Sequence, residues 1–368
     1  MKIICNKNDL QKGVNTVMKA VSSKTTMPIL ECILIDASRN EIKFTANDME
    51  LGIETKVEGL ISQKGIVALE AKLFSEIIRK LPDSDVTITS DEKNNTSIVC
   101  EKAKFMIMGR DGEDFSYLPF VEKDYGISVS QFTLRDVIRQ TIFSIAPNDS
   151  NKMMTGELFE INENMLKVVS LDGHRISIRS IELKESYDNR KVIVPGKTLT
   201  ELSKILTGGT EDMVNIFFTE NHILFEFEDT IVVSRLIEGN YFRVNQMLSN
   251  DYETKVTINK REFLDCIDRA TLLVKEGDKR PIILHIADNV MELKITSQAG
   301  SMDENIDIEM EGKEIKIGFN PKFLIDALRV IDDEMIDIYY MNPKAPCFIR
   351  DEDQTYIYLI LPVNFVDA

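Results

Sequence analysis

The sequence predicts an α+β protein made of three tandem copies of one domain, with helices set among antiparallel strands. Three observations predict it. Residues 72–81, K-L-F-S-E-I-I-R-K-L, set Lys72, Ser75, Glu76 and Arg79 on one arc of a helix and Leu73, Phe74, Ile77, Ile78 and Leu81 on the opposite arc. The same pattern, a Lys followed four residues later by an acid and three further on by a base, recurs at Lys197, Glu201, Lys204 and at Lys322, Asp326, Arg329. The lysines stand 125 residues apart both times, and equal spacing of this kind marks an internal repeat. Thirdly, short runs of alternating apolar residues, the period of strands, lie before and after these helices. The copies are expected at 1–124, 125–250 and 251–368, each holding two strand–helix–three-strand halves.

The first copy opens on a strand at 2–5. Asn8 or Asp9 is expected to cap a helix whose Leu10, Val14, Val17 and Val21 recur at helical spacing. Pro28 then opens a strand, because proline starts strands more readily than it continues helices. Strands are expected at 33–36, 41–46 and 51–57, then at 66–69 before the Lys72 helix and at 86–89, 97–101 and 104–108 after it. In the second copy a strand at 127–129 precedes a helix capped by Thr133, with Leu134, Val137, Ile138 and Phe143 inward and Arg135 and Arg139 outward. Strands follow at 157–161, 166–170, 175–181, 192–194, 214–219, 223–227 and 230–236. The third copy has a strand at 256–258, a helix at 261–273 and a final strand at 356–361. The linkers at 123–126 and 249–253 are short and not Gly/Ser-rich, which favours a rigid array.

The formal charge is −17, from 44 basic and 61 acidic residues, so most of the surface is expected to repel nucleic acid and anionic membrane. The five cysteines are scattered with no C-x-x-C pair, as in reduced core thiols of a cytoplasmic protein. The N-terminal apolar run is too short for a signal peptide, and no run approaches the roughly 20 residues of a membrane span. Against this acidic average stand Lys and Arg at 12, 19, 72, 79, 135, 139, 197, 204, 261, 269, 322 and 329, all on helices. Six helices with one apolar and one partly basic face suggest a single surface that attracts phosphates loosely and without sequence preference. No aromatic cluster accompanies them, so single-strand stacking is not favoured. The acids gather elsewhere, at Asp303, Glu304, Asp307, Glu309, Glu311 and Glu314 and at Asp332, Asp333 and Glu334.

Particular motifs then resemble a known family. They are K-T-T-M-P-I-L at 24–30, S-L-D-G-H-R-I at 170–176, V-I-V-P-G at 192–196, I-E-G-N-Y at 237–241, G-F-N-P-K-F-L-I-D-A-L at 318–328 and L-P-V at 361–363. Together, and over the full length, they resemble the bacterial sliding clamp, the beta or processivity subunit of the replicative DNA polymerase. The resemblance implies a crescent with helices on its inner face and antiparallel sheets outside. Two such chains close head to tail into a homodimeric ring around double-stranded DNA. Lys24 and Lys72 match DNA-touching positions, and Arg79, Arg139, Lys197, Lys204, Lys322 and Arg329 are expected to share that role. The resemblance also implies a groove for short peptides made by Leu171, Gly173, His174, Arg175, Ile176, Met247, Asn320, Phe323, Leu361, Pro362 and Val363. Its peptides would come from the replicative polymerase, the clamp loader, translesion polymerases, ligase and mismatch-repair proteins. Phe242 stands where the family usually has Pro, Val244 where it has an aromatic, and Lys152-Met153 where an aromatic pair is common.

Other chemistry finds little support in the residues. His174 beside Asp172 has no nucleophile or metal motif to serve, and there is no H-E-x-x-H, P-loop or G-x-S-x-G. Gly208-Gly209 reads as a helix C-cap, Asp48 and Glu50 as a turn, and Cys266 as core. No catalytic residue, metal or cofactor is expected. Two readings stay open: a ring-forming DNA tether, and an acidic scaffold that binds only proteins.

Overall fold

The computed structural model describes residues 1–22, 25–148, 151–274 and 280–365. Lys24 lies outside them, and so do residues 275–279, part of the third-copy segment 272–279 expected to meet a first-copy edge strand at 97–108 in ring closure. Six α-helices occur among the described residues: α1 Lys7–Val17, α2 Ala71–Lys80, α3 Gln131–Thr141, α4 Gly196–Ser203, α5 Lys260–Thr271 and α6 Pro321–Leu328. Each follows directly on a strand or one residue after it. The cap therefore comes from the residue just before the helix, and not from a position inside it. Asn6, not Asn8 or Asp9, accepts from Asn8 N at 2.9 Å. Ser130, not Thr133, is the acceptor for α3, and Thr133 N is its donor at 3.0 Å. Glu70, Asn259 and Asn320 do the same for α2, α5 and α6, satisfying amides that the first turn leaves bare.

Two further expectations are corrected. Pro28 opens a 3₁₀ turn, Pro28–Glu31, and the strand begins at Cys32. Gly208 and Gly209 lie beyond the end of α4 and do not cap it; the Gly209 carbonyl instead accepts Phe132 N in the first turn of α3 at 3.3 Å. Gly208 is needed for close approach, since a Cβ there would stand 2.7 Å from both Asp212 and Gln131. In α2 the apolar arc is narrower than the sequence suggests: Phe74, Ile77 and Ile78 are buried, while Leu73 is 47% exposed.

The chain packs into two compact units, Met1–Leu134 with Lys197–Leu236 and Arg135–Gly196 with Ile237–Ala368. In the first unit one sheet orders the strands Leu60–Gln63, Lys2–Asn6, Asp85–Ser90, Asn95–Cys100 and Ala103–Met108. Its second sheet has eight strands and joins Thr230–Arg235 of the second copy to Leu51–Val57 of the first, antiparallel. The halves of the first copy interlock: strand Lys2–Asn6 pairs with Asp85–Ser90, and Ile66–Glu70 pairs with Cys32–Asp36. In the second unit the third copy repeats this exchange, with Thr254–Asn259 on Met335–Tyr340 and Ile315–Phe319 on Ile282–Ala287.

The four strands expected at 157–161, 166–170, 175–181 and 192–194 are two long ones, Gly156–Leu171 and Arg175–Pro195, paired antiparallel with irregular register around Glu163. Bulges let the hairpin bend without breaking its ladder. The strands Leu60–Gln63 and Glu309–Gly312, each mostly exposed, carried too little apolar alternation to be read. Apolar cores fill the space between helices and sheets; in the third copy Phe263, Cys266 and Ile267 of α5 and Leu324 and Leu328 of α6 pack on the buried faces of strands. All five cysteines are free and buried, and burial pushes the Cys266 and Cys347 thiols up to about 12. Among the described residues no helix is long and apolar enough to cross a membrane.

Candidate functional site

Two features answer to the expected sites. The first is the set of stripe helices. Lys72 on α2 and Lys322 on α6 are exposed, and no ion pair engages either among the described residues. Several other stripe cations are held in ion pairs. Arg79 pairs with Glu76 at 2.5 Å and Lys204 with Glu201 at 2.7 Å, each acid lying three positions earlier. Lys197 pairs with Asp48, whose carboxylate also accepts Glu50 N at 3.0 Å and Leu51 N at 2.7 Å, so Asp48 closes a turn. Arg139 reaches Asp136 at 2.5 Å and Asp332 at 3.1 Å, and Arg329 reaches Asp268 at 3.3 Å. Arg269 pairs with Glu304 and holds that carboxylate below its ordinary range by hydrogen bonding. Asp332 and Glu304 belong to the two acid runs, so the expected separation of acids from basic helices is incomplete. Exposed pairs of this kind are individually weak, and they lower the net pull that each helix exerts on a phosphate.

The second feature is a groove of about 300 Å³ lined by Met154, Leu171, Gly173, His174, Arg175, Ile176, Phe242, Met247, Pro346, Leu359 and Leu361. Its wall is the hairpin turn between strands Gly156–Leu171 and Arg175–Pro195. Strand Tyr356–Ile360 extends the same sheet, pairing Ile176 with Leu359, and Leu361 N donates to His174 O at 2.9 Å. The end of the second copy, after strand Thr230–Arg235, closes another side. There the Tyr241 hydroxyl donates toward Gly156 O at 3.4 Å and Val169 O at 3.3 Å, and Phe242 packs edge-on against the Tyr241 ring. Met247 stays 50% exposed and Leu361 38%, so apolar surface is left open to a ligand.

The turn itself is built around Asp172. One carboxylate oxygen accepts His174 N at 3.0 Å and Arg175 N at 3.1 Å; the other accepts Arg175 Nε at 3.0 Å. Gly173 adopts φ +83°, the left-handed region that glycine enters at no steric cost. The Arg175 side chain, 7% exposed, also donates to Asp326 Oδ2 at 2.7 Å and to Phe143 O at 2.5 Å. Its guanidinium carbon sits 4.6 Å from the Phe323 ring centroid, and His174 stacks on the same ring at 5.8 Å. Arg175 thus lines the groove with its charged end turned inward. His174 is left exposed at the rim.

Seven residues expected in the groove line it: Leu171, Gly173, His174, Arg175, Ile176, Met247 and Leu361. Phe323 lies behind them, against His174 and Arg175. Asn320 is spent on capping α6, and Val363 N donates to Gly318 O at 2.8 Å. Pro362 follows the last strand and is not among the lining residues. Met154, Phe242, Pro346 and Leu359 were missed. Leu359 was within reach, standing two residues before Leu361 near the end of the strand Tyr356–Ile360. Met154 and Pro346 carry no local signal and are delivered by the fold.

Three α+β domains, with helices packed on antiparallel sheets, define a clamp-type protein. Family profiles match along the chain: the N-terminal domain of the DNA polymerase III beta subunit over residues 1–119, its central domain over 128–242 and its C-terminal domain over 245–364. The chain is 36% identical to the beta sliding clamp of Staphylococcus aureus over 362 residues, 95% of this chain and 96% of that one. It is similar in structure to a chain from Eubacterium rectale assigned to the DNA polymerase III beta subunit, with TM-score 0.97, 68% identity and 99% of each chain covered. The DNA polymerase sliding clamp of Bacillus subtilis superposes with TM-score 0.96 at 34% identity over 100% of both chains. The chain belongs to the DNA polymerase III beta subunit, or beta sliding clamp, family.

Proposed function

We propose that this protein is a sliding clamp for processive DNA replication, with no catalytic activity of its own. Two copies close head to tail around duplex DNA in the cytoplasm, and the ring holds a polymerase to its template. The observation that carries this reading is the threefold recurrence of one Lys-bearing helix in a member of the clamp family. The domains are taken as 1–124, 125–250 and 251–368. Lys72 and Lys322 are the readiest phosphate contacts, with Arg79, Arg139, Lys197, Lys204 and Arg329 supplying weaker, partly neutralised charge. Such a lining attracts DNA without fixing a register, which suits movement along it.

The groove receives short apolar peptide segments of partners: the replicative polymerase, the clamp loader, translesion polymerases, ligase and mismatch-repair proteins. Leu171, Ile176, Leu359 and Leu361 offer the apolar anchorage and His174 a polar rim. Beside His174 the Asp172 carboxylate is committed to backbone amides and to Arg175, which argues against an Asp–His catalytic pair there. The dimer contact is assigned to two sheet edges. Strand Ala103–Met108 ends one sheet, with Met106 61% and Met108 80% exposed beside Lys104. Strand Ser301–Asp307 ends another and carries Asp303, Glu304 and Asp307. Open edges of opposite charge favour strand addition between copies.

The test is topological. Loaded on nicked circular DNA, the protein is expected to stay bound at high salt and to leave once the circle is cut. Equal loss from circle and line as salt rises would mean phosphate binding without encirclement, and no DNA retention at all would favour a protein-only scaffold.

A further inference from the structure

We propose that Asp326 is a positioning residue for the peptide groove, acting through Arg175. The inference rests on the groove assignment above and adds to it a residue that does not line the groove.

Asp326 occupies the acid slot of the α6 stripe. In the other two copies that slot is used within the helix: Glu76 pairs with Arg79 and Glu201 with Lys204, three positions on. In the third copy the corresponding base, Arg329, pairs with Asp268 of α5 instead. Asp326 is turned to Arg175, with its carboxylate at 2.7 Å from Nη1. One repeat has thus diverted a stripe carboxylate to a different partner.

That partner governs the groove wall. The turn between the two long strands has only Asp172, Gly173 and His174 in it, and its amides rely on Asp172. Asp172 is in turn fixed by Arg175 Nε. Arg175 is buried, so its direction depends on what holds its far end: Asp326, Phe143 O and the Phe323 ring. Asp326 is the only carboxylate besides Asp172 that the described residues place on this guanidinium. A charge-assisted bond of this kind is about twice as strong as a neutral one and fixes orientation as well. Without it the buried guanidinium loses a counter-charge, and Asp172, Gly173 and His174 lose the strut behind them. Phe323, one turn earlier on α6, carries the His174 ring, so the same helix supports the rim twice.

The experiment measures binding of a fluorescein-labelled peptide from the clamp-docking segment of the replicative polymerase. Asp326→Asn is expected to weaken it about tenfold. Asp326→Glu, which keeps the charge, is expected to recover part of the loss, and amide exchange at 171–176 should be faster in Asp326→Asn than in Asp326→Glu. A loss of packing alone would not be rescued by restored charge. Leu361→Asp separates the two claims. Binding that survives Leu361→Asp sinks the groove assignment itself. Binding lost in Leu361→Asp but at parent strength in Asp326→Asn keeps the groove and overturns the role of Asp326. Should Asp326→Asn not fold, exchange in the parent protein decides: peptide that slows the α6 amides at 324–328 supports the link, and unchanged exchange there overturns it.

Discussion

Glu157, the second residue of the strand Gly156–Leu171, has a fully buried carboxyl whose two oxygens have no hydrogen-bond partner among the described residues. The nearby Thr141 hydroxyl already donates to Val137 O at 2.8 Å. Burial drives the Glu157 carboxyl well above the ordinary carboxylate range. The folded chain therefore keeps a proton that the unfolded chain releases. Its contribution to stability is full below the ordinary value of 4.5 and is lost as pH rises toward the folded value. Glu157→Gln, which needs no proton, is expected to raise the thermal midpoint by roughly 2–4 °C at pH 8, the size of about 1 kcal/mol, and to change little at pH 4. Melts followed by circular dichroism across that range check it; a shift independent of pH would show that burial of the charge is not the cause. At Gly173 the demand is on the backbone. Gly173→Ala meets no atom within 4 Å, yet the positive φ should cost about 1 kcal/mol, read as a lower urea midpoint.

The stripe helices differ in how their lysines are held, and that ranks their substitutions. Lys72→Glu and Lys322→Glu remove cations that no carboxylate engages among the described residues. They are expected to fold as the parent does and to reduce the salt dependence of DNA binding by roughly 0.9 for each phosphate no longer neutralised. Lys197→Glu instead faces Asp48, whose side chain is only 6% exposed, with a second negative charge. It is expected to lower the thermal midpoint as well as DNA binding, and an unchanged melt would count against the Asp48 contact. The helices themselves were legible because apolar spacing sets which face is buried. Their caps were misplaced by two or three residues, because strand leads into helix with almost no loop and the capping side chain comes from the residue just before the helix.

At the scale of the molecule the expected solution mass is about twice 42.0 kDa. Replacing Lys104 by Glu, opposite an acidic edge, should leave single chains that fold yet fail to remain on nicked circles. Sedimentation shows the first result and the circle assay the second; a Lys104→Glu dimer as stable as the parent would move the interface away from the Ala103–Met108 edge. The two compact units divide the second copy between them, although the sequence repeats as three. Its strand Thr230–Arg235 continues a sheet with Leu51–Val57, while the long hairpin Gly156–Leu171 and Arg175–Pro195 joins a sheet with Tyr356–Ile360. No local pattern announces such pairing, since edge strands of different copies carry the same alternation.

The sequence by itself determined the three-copy plan, the helix faces, the buried thiols and half of the groove's apolar residues. The plan and the faces follow from spacing along one stretch of chain, which fixes what a face buries before any partner is known; the thiols follow from the scatter of the cysteines, and the groove residues came only through the family resemblance. Only the tertiary structure decided where the charges went. It turned Asp326 away from its own helix to Arg175, bound Lys197 to Asp48, and brought Met154, Phe242 and Pro346 to the groove. Those choices depend on distances between side chains remote in sequence, and a charge takes the partner that burial leaves within reach.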